Sequence, residues 1–257
     1  MYKTSPRSDI RQSRLWAVVP VKDFVYAKQR LAGVLSPSER RALSQAMVED
    51  TLERLQGMDG LAGTLLVSDD PAAELLAFRY GASVLSEAGA SQGLNAAVRR
   101  AAGRLAQDGA SHMLVLHGDL PLVTAADLAA LSAGLPEAGR PCVRLAADRR
   151  GRGTNGLLCS LPAPIAFAYG ADSLRAHRDA CGRAGVPCEV IPSSGFALDI
   201  DTPADLQLLA ARVGSAAAGH RTLAVLAQHA LPERLCQMGI GAAPSPPDAT
   251  LQAKPFA

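Results

Sequence analysis

Met113-Leu-Val-Leu-His-Gly-Asp-Leu-Pro-Leu122 is the stretch that decides the fold class. Met113 to Leu116 is a short apolar run, which predicts a buried strand. It runs into Gly118 and an acid, Asp119, and Pro121 stops any continuation. Thr124-Ala-Ala-Asp127 then has the hydroxyl-and-acid spacing of a helix start. A carboxylate just past the carboxyl end of a buried strand stands where open α/β sheets place ligands. Gly-Asp is also ordinary turn chemistry, so this stretch alone leaves both readings open. A second acidic stretch, Asp199-Ile-Asp201 before Thr202-Pro203, favours the ligand reading.

Upstream, the same grammar repeats. Leu15 to Val21 predicts a first buried strand, and Ser36-Pro-Ser-Glu39 opens a helix with a capping box and proline at the first helical position. Strands follow at Thr64 to Ser68 and Ala82 to Leu85, with helices at Ala72 to Phe78 and Leu94 to Ala106. Alternation of this kind predicts a parallel sheet covered by helices. Downstream the pattern is less regular. Strands are expected at Cys142 to Ala147, Gly156 to Cys159 and Val186 to Ile191, and helices from about Tyr169 to Ala184 and from Asp199 to about Val213.

The boundaries that follow are a disordered leader at 1–14, a folded domain at 15–214, and an Ala/Pro-rich tail with one amphipathic helix at 215–257. The tail is expected to lie outside the catalytic core and to be dispensable. Net charge is +2, so composition offers no case for nucleic acid or an anionic membrane as partner. No apolar run is long enough to span a bilayer, and the polar, basic start lacks a signal core, which predicts a cytoplasmic protein. The five cysteines are odd in number and never spaced C-x-x-C, which argues against a disulfide framework or zinc.

Asp119, Asp199 and Asp201 would repel one another unless a cation sits among them, and Mg²⁺ commonly bridges carboxylates to substrate phosphates. On an extended segment Asp199 and Asp201 share a face with Ile200 buried between them. Asp201 could instead cap the helix that starts at Pro203. Lys22, Lys28 and Arg30 follow the first strand, and fixed cations beside a metal suit a triphosphate. Neither a P-loop nor a dinucleotide fingerprint occurs. Glu87 is the acid in the loop before Gly93 and is a candidate acceptor for hydrogen-bond donors of a nucleotide base, with backbone carbonyls as the alternative.

Six stretches together resemble the 2-phospho-L-lactate guanylyltransferase family, whose relatives also use phosphoenolpyruvate or 3-phosphoglycerate. They are Val19-Pro-Val-Lys22 with Ala27-Lys-Gln-Arg-Leu31; Gly93-Leu-Asn-Ala-Ala97; Gly118-Asp-Leu-Pro-Leu122; Gly153-Thr-Asn155; Gly170-Ala-Asp-Ser173 with His177; and Asp199-Ile-Asp-Thr-Pro203. The resemblance implies a Rossmann-like α/β/α sandwich of the nucleotide-diphospho-sugar transferase, GT-A-like, type. It implies transfer of GMP from GTP to a small phosphorylated acid, with release of diphosphate, in coenzyme F-420 biosynthesis. It implies Mg²⁺ on Asp119, Asp199 and Asp201, with Lys22, Arg30 and Asp119 as catalytic groups. Lys28, Gly93 and Asn95 fall to the nucleotide, and Thr154, Asn155, Gly170 and Ser173 to the acceptor. His177 stays open between acceptor contact and packed histidine, and a homodimer stays open too. His117 departs from the family pattern beside the metal site, as does Gly156 after Asn155. A molybdopterin guanylyl- or cytidylyltransferase is the competing enzyme reading, against which VPVKD stands where a glycine-rich loop is expected. A binding protein without catalysis is the other alternative, and the retention of all three aspartates argues against it.

Overall fold

A computed structural model describes residues 14–86, 93–212 and 219–238, so Glu87 falls outside the described residues. In chain order the elements are β1 (Leu15–Pro20), a 3-10 turn (Gln29–Leu31), α1 (Pro37–Gln56), β2 (Leu61–Val67), α2 (Pro71–Arg79), β3 (Ser83–Leu85) and α3 (Leu94–Gln107). Then come β4 (His112–Leu116), α4 (Ala125–Ser132), β5 (Val143–Ala147), β6 (Thr154–Ser160), α5 (Ser173–Ala184), β7 (Cys188–Val190), α6 (Pro203–Ala210), α7 (His220–Gln228) and α8 (Leu231–Gln237).

Among the described residues seven strands form one sheet in the order β3-β2-β1-β4-β6-β5-β7. The half from β3 to β4 is parallel, as the β-α alternation predicts. β6 runs antiparallel to both β4 and β5, so the sheet is mixed. The cause is local. Asp148 to Gly153 is a short connection, closed by Asp148 N–H to the Gly153 carbonyl at 3.1 Å, and a connection that short joins antiparallel strands.

Both faces of the sheet are covered. Ala17 and Val19 of β1 and Leu114 and Leu116 of β4 pack with Leu52 and Leu55 of α1 and Leu128 of α4. Val18, Met113 and Val115 point the other way, onto Val98, Ala101 and Leu105 of α3 and Cys181 of α5. A strand buried on both faces reads as a continuous apolar run rather than an alternating one, which is why β1 and β4 stand out in the sequence. All five cysteines are free thiols.

A third apolar cluster joins Leu31, Leu43, Met47, Leu206 and Leu209 to Leu226, Leu231 and Leu235. Helices α7 and α8 thus lie within the stretch expected to be tail, and their leucines enter the core. Asp50 of α1 anchors α7 by accepting from Thr222 N at 2.9 Å and Thr222 Oγ1 at 2.6 Å. Arg234 of α8 pairs with Glu39 and donates to the Val34 carbonyl at 2.9 Å.

Glu39 also completes the capping box of α1, with Ser36 N to Glu39 Oε2 at 2.7 Å. The Arg234 hydrogen bond, against the opposing effect of burial, draws the Glu39 carboxyl from 4.5 to about 2. A carboxylate whose pKa is depressed on folding stabilises the fold above its unfolded pKa and loses that contribution as pH falls through the folded one. Melting temperature of the wild type should therefore fall between pH 4.5 and about 2 more steeply than that of Glu39→Gln. Parallel curves for the two proteins would show that Glu39 carries no such linkage.

Candidate active site

The site lies at the edge where β1 and β4 end and β6 begins. Gly118 follows β4 and lies against α1: a Cβ there would stand 2.8 Å from Val48 Cγ2, so a larger residue at this turn would have to push the Val48 side chain aside. Ile200 N–H donates to the Asp119 carbonyl at 3.2 Å, stitching the second acidic segment to the first. Ile200 itself is fully buried, as the Asp-x-Asp pattern predicts. The cap of α6 is Thr202, whose hydroxyl accepts from Asp205 N, with the Asp205 side chain reaching back. Asp201 is thereby left to the site.

Lys28 joins the two acidic segments. Its Nζ lies 2.5 Å from Asp119 Oδ2 and 2.9 Å from Asp201 Oδ1, and its side chain is only 9% exposed. Arg30 Nη1 stands 3.7 Å from Asp201 Oδ2. Burial works against the charged ammonium, but Asp119 and Asp201 outweigh it and raise the Lys28 pKa. Burial likewise opposes ionisation of Asp119, and Lys28 outweighs it and holds that carboxyl below its ordinary value. Asp199 goes the other way: burial and then the Asp119 charge push its carboxyl up. Lys22 is exposed on the rim of the same cleft, which has a volume of about 480 Å³ and is lined by Asp119, Asp201 and His117.

Asn155 and Asn95 do something the sequence does not announce. Asn155 Nδ2 donates to the Phe196 carbonyl at 2.8 Å and to Asp199 Oδ1 at 3.3 Å, so it orients a carboxylate. Asn95 clasps the backbone of Tyr169, donating to its carbonyl at 2.9 Å and accepting its N–H at 2.7 Å. Gly93, with φ +107, is the residue before α3. Tyr169, which no motif flags, packs between the rings of His117 and His177.

Thr154, Ser173 and His177 come together in one buried group. Thr154 N donates to Ser173 Oγ at 2.9 Å, and Thr154 Oγ1 lies 3.0 Å from His177 Nδ1. His177 Nε2 accepts the Ala168 N–H at 2.9 Å, which puts the ring proton on Nδ1 and makes it the donor to Thr154. Burial, then His117, lowers the His177 pKa to about 4, so the ring is neutral at pH 7. Gly170, with φ +143, opens the turn into α5, and Asp172 of that turn pairs with Arg152 at 2.5 Å.

Three carboxylates and a buried Asn bracket a cation-demanding point. Asp119 Oδ1 is enclosed without a hydrogen-bond partner, and the oxygens are hard donors of the kind Mg²⁺ takes. Among the described residues, the group whose metal-ligand atoms lie within 4.8 Å of one another is instead Asp50, Glu53 and His220. That group is engaged otherwise: Asp50 holds Thr222, and Glu53 pairs with Arg221 at 2.7 Å. Asp119, Asp199 and Asp201 do not form such a group in this arrangement, in which Lys28 stands between Asp119 and Asp201.

An acid after the fourth strand, met by a second acidic segment and by cations from the first loop, belongs to the nucleotidyltransferases. The fold is that of a nucleotide-diphospho-sugar transferase structure from Desulfovibrio desulfuricans G20, with a TM-score of 0.67 at 17% identity, covering 87% of this chain and 98% of that one. Glucosyl-3-phosphoglycerate synthase from Mycobacterium tuberculosis, solved with Mn²⁺, UDP and phosphoglyceric acid, gives a TM-score of 0.52 at 13% identity, covering 79% and 78%. The family "Guanylyl transferase CofC like" matches residues 15–222, and the chain belongs to it. Phosphoenolpyruvate guanylyltransferase of Conexibacter woesei is 40% identical over 206 residues, 79% of this chain and 92% of that protein. Its counterpart from Rubrobacter xylanophilus is 40% identical over 201 residues, 78% and 95%. The chain is a guanylyltransferase.

Proposed function

We propose that the chain transfers GMP from GTP to phosphoenolpyruvate, or to the closely similar 2-phospho-L-lactate or 3-phosphoglycerate, in coenzyme F-420 biosynthesis in the cytoplasm. The observation that carries the reading is Lys28 bridging Asp119 and Asp201 on the floor of the cleft. An acceptor phosphate is already anionic at pH 7, so one of its oxygens attacks the α-phosphorus of GTP without a general base. The new P–O bond forms as the bond to the β-phosphate bridging oxygen breaks, and diphosphate leaves with the electron pair. Positioning and charge neutralisation are then the main contributions of the protein.

Asp119, Asp199 and Asp201 would hold Mg²⁺, which supplies neutralisation of phosphate charge when bound. Lys22, Lys28 and Arg30 supply fixed positive charge to the triphosphate, and Gly93 and α3 border the nucleotide. Asn155 keeps Asp199 aimed. No helix among the described residues is long and apolar enough to cross a membrane.

The acceptor falls to Thr154, Gly170 and Ser173. Each of the two hydroxyls accepts one internal hydrogen bond and so keeps its own proton to donate to an anion. Losing a donor to a charged group costs roughly 1.5–3 kcal/mol. Ser173→Ala should raise KM for the acceptor about ten-fold while leaving KM for GTP nearly unchanged. Parallel changes in both constants would move the acceptor elsewhere. Product mass spectrometry with GTP and each of the three acids tests the reaction itself. Absence of a guanylylated acid with all three would sink the proposal.

A further inference from the structure

We propose that Lys28 is an internal counter-cation that competes with the divalent metal for Asp119 and Asp201, and that the nucleotide triphosphate releases it. The inference rests on the metal assignment above. Lys28 is built into the carboxylate pair rather than laid across it. Its Nζ is within 2.9 Å of oxygens from both segments, and its side chain is almost wholly enclosed. Its backbone is in the left-handed region at φ +54, a conformation uncommon outside glycine, at the start of the 3-10 turn. The next residues are fixed: Leu31 is fully buried in the third apolar cluster, and Leu31 N–H bonds the Lys28 carbonyl at 2.9 Å.

The preceding residues are not packed in this way. Val25 and Tyr26 are 52% and 73% exposed, between Phe24, which is buried in the first apolar cluster, and Lys28. Two charges of opposite sign at such close range attract, although the Asp119 and Asp201 side chains keep 27% and 43% of their surface in solvent. A divalent ion entering between Asp119 and Asp201 must either displace the ammonium or share its oxygens with it, and sharing sets two cations against each other. A triphosphate offers Lys28 an alternative set of anionic oxygens a short swing away. Metal and nucleotide then bind cooperatively: each favours the arrangement in which Lys28 has left the carboxylates.

The test uses Mn²⁺ as the probe, with free ion measured by electron paramagnetic resonance and no nucleotide present. Full-length wild type, Lys28→Met and Lys28→Met/Asp119→Asn are titrated side by side. Lys28→Met should bind Mn²⁺ at least about ten-fold more tightly than wild type, and Asp119→Asn should remove that gain. Equal or weaker binding by Lys28→Met, or a gain that survives the loss of Asp119, overturns the proposal. Circular dichroism melts of the same samples show that each variant is folded. GTP turnover by the wild type, measured separately, tests the proposed reaction without reference to Lys28.

Discussion

Asp119→Asn should lower kcat at saturating GTP and Mg²⁺ by about two orders of magnitude or more, the scale of losing one preorganised stabiliser of transition-state charge. The substitution keeps shape and removes charge. Asp119 sits at the meeting of three features: the end of β4, the 3.2 Å stitch from Ile200, and the Lys28 bridge. The stitch uses the backbone carbonyl, so Asn leaves it intact and Asp201 remains in place. Lys28 keeps Asp201 as its partner, so no ammonium is stranded. The fall should therefore appear in kcat and in the Mg²⁺ concentration for half-maximal rate, with little change in melting temperature. Wild-type turnover of Asp119→Asn at low Mg²⁺ would remove this residue from the metal site.

Much of the frame is legible in the sequence because its signals are local. β1 and β4 are apolar on both faces, and the hydroxyl-acid pairs Ser36/Glu39 and Thr124/Asp127 form the capping boxes that their spacing announces. Asp119 and the Asp199-Ile-Asp201 segment are recognisable because an acid at a strand end and an acid pair around an apolar residue each have a periodicity to be read against. What is not legible is pairing across the chain. That Lys28 reaches both Asp119 and Asp201, 91 and 173 residues away, has no local signature. Asn155 reads as part of an acceptor motif, while its amide is spent on Phe196 and Asp199. Thr202 and Asp201 compete for the same capping role on spacing alone, and only the geometry gives the cap to Thr202. The antiparallel turn of β6 follows from a loop whose glycine and arginine content says "loop" without saying how the chain leaves it.

The C-terminal helices show the same limit with the largest expected effect on stability. Spacing within 221–235 predicts an amphipathic helix but cannot say where its apolar face goes, because the partner is α1, some hundred and seventy residues upstream. In the structure Leu226, Leu231 and Leu235 are each no more than 2% exposed, packed on Leu31, Leu43, Met47, Leu206 and Leu209. Fully burying a leucine contributes roughly 1.5–3 kcal/mol, so these three alone account for roughly 5–9 kcal/mol as an upper estimate. A domain has only about 5–15 kcal/mol in total. A chain ending after Arg212 should therefore be largely unfolded or aggregated at room temperature, contrary to the expectation that the tail is dispensable. Leu226→Ala in the full chain is the gentler version and should cost about 2–5 kcal/mol, read from the denaturant midpoint. Because Arg234 also holds the Val34 carbonyl behind the turn that carries Lys28, any folded fraction of the truncated chain should bind GTP more weakly. A truncated protein that melts within a few degrees of the full chain and keeps its KM for GTP would show that α7 and α8 rest on the domain without supporting it.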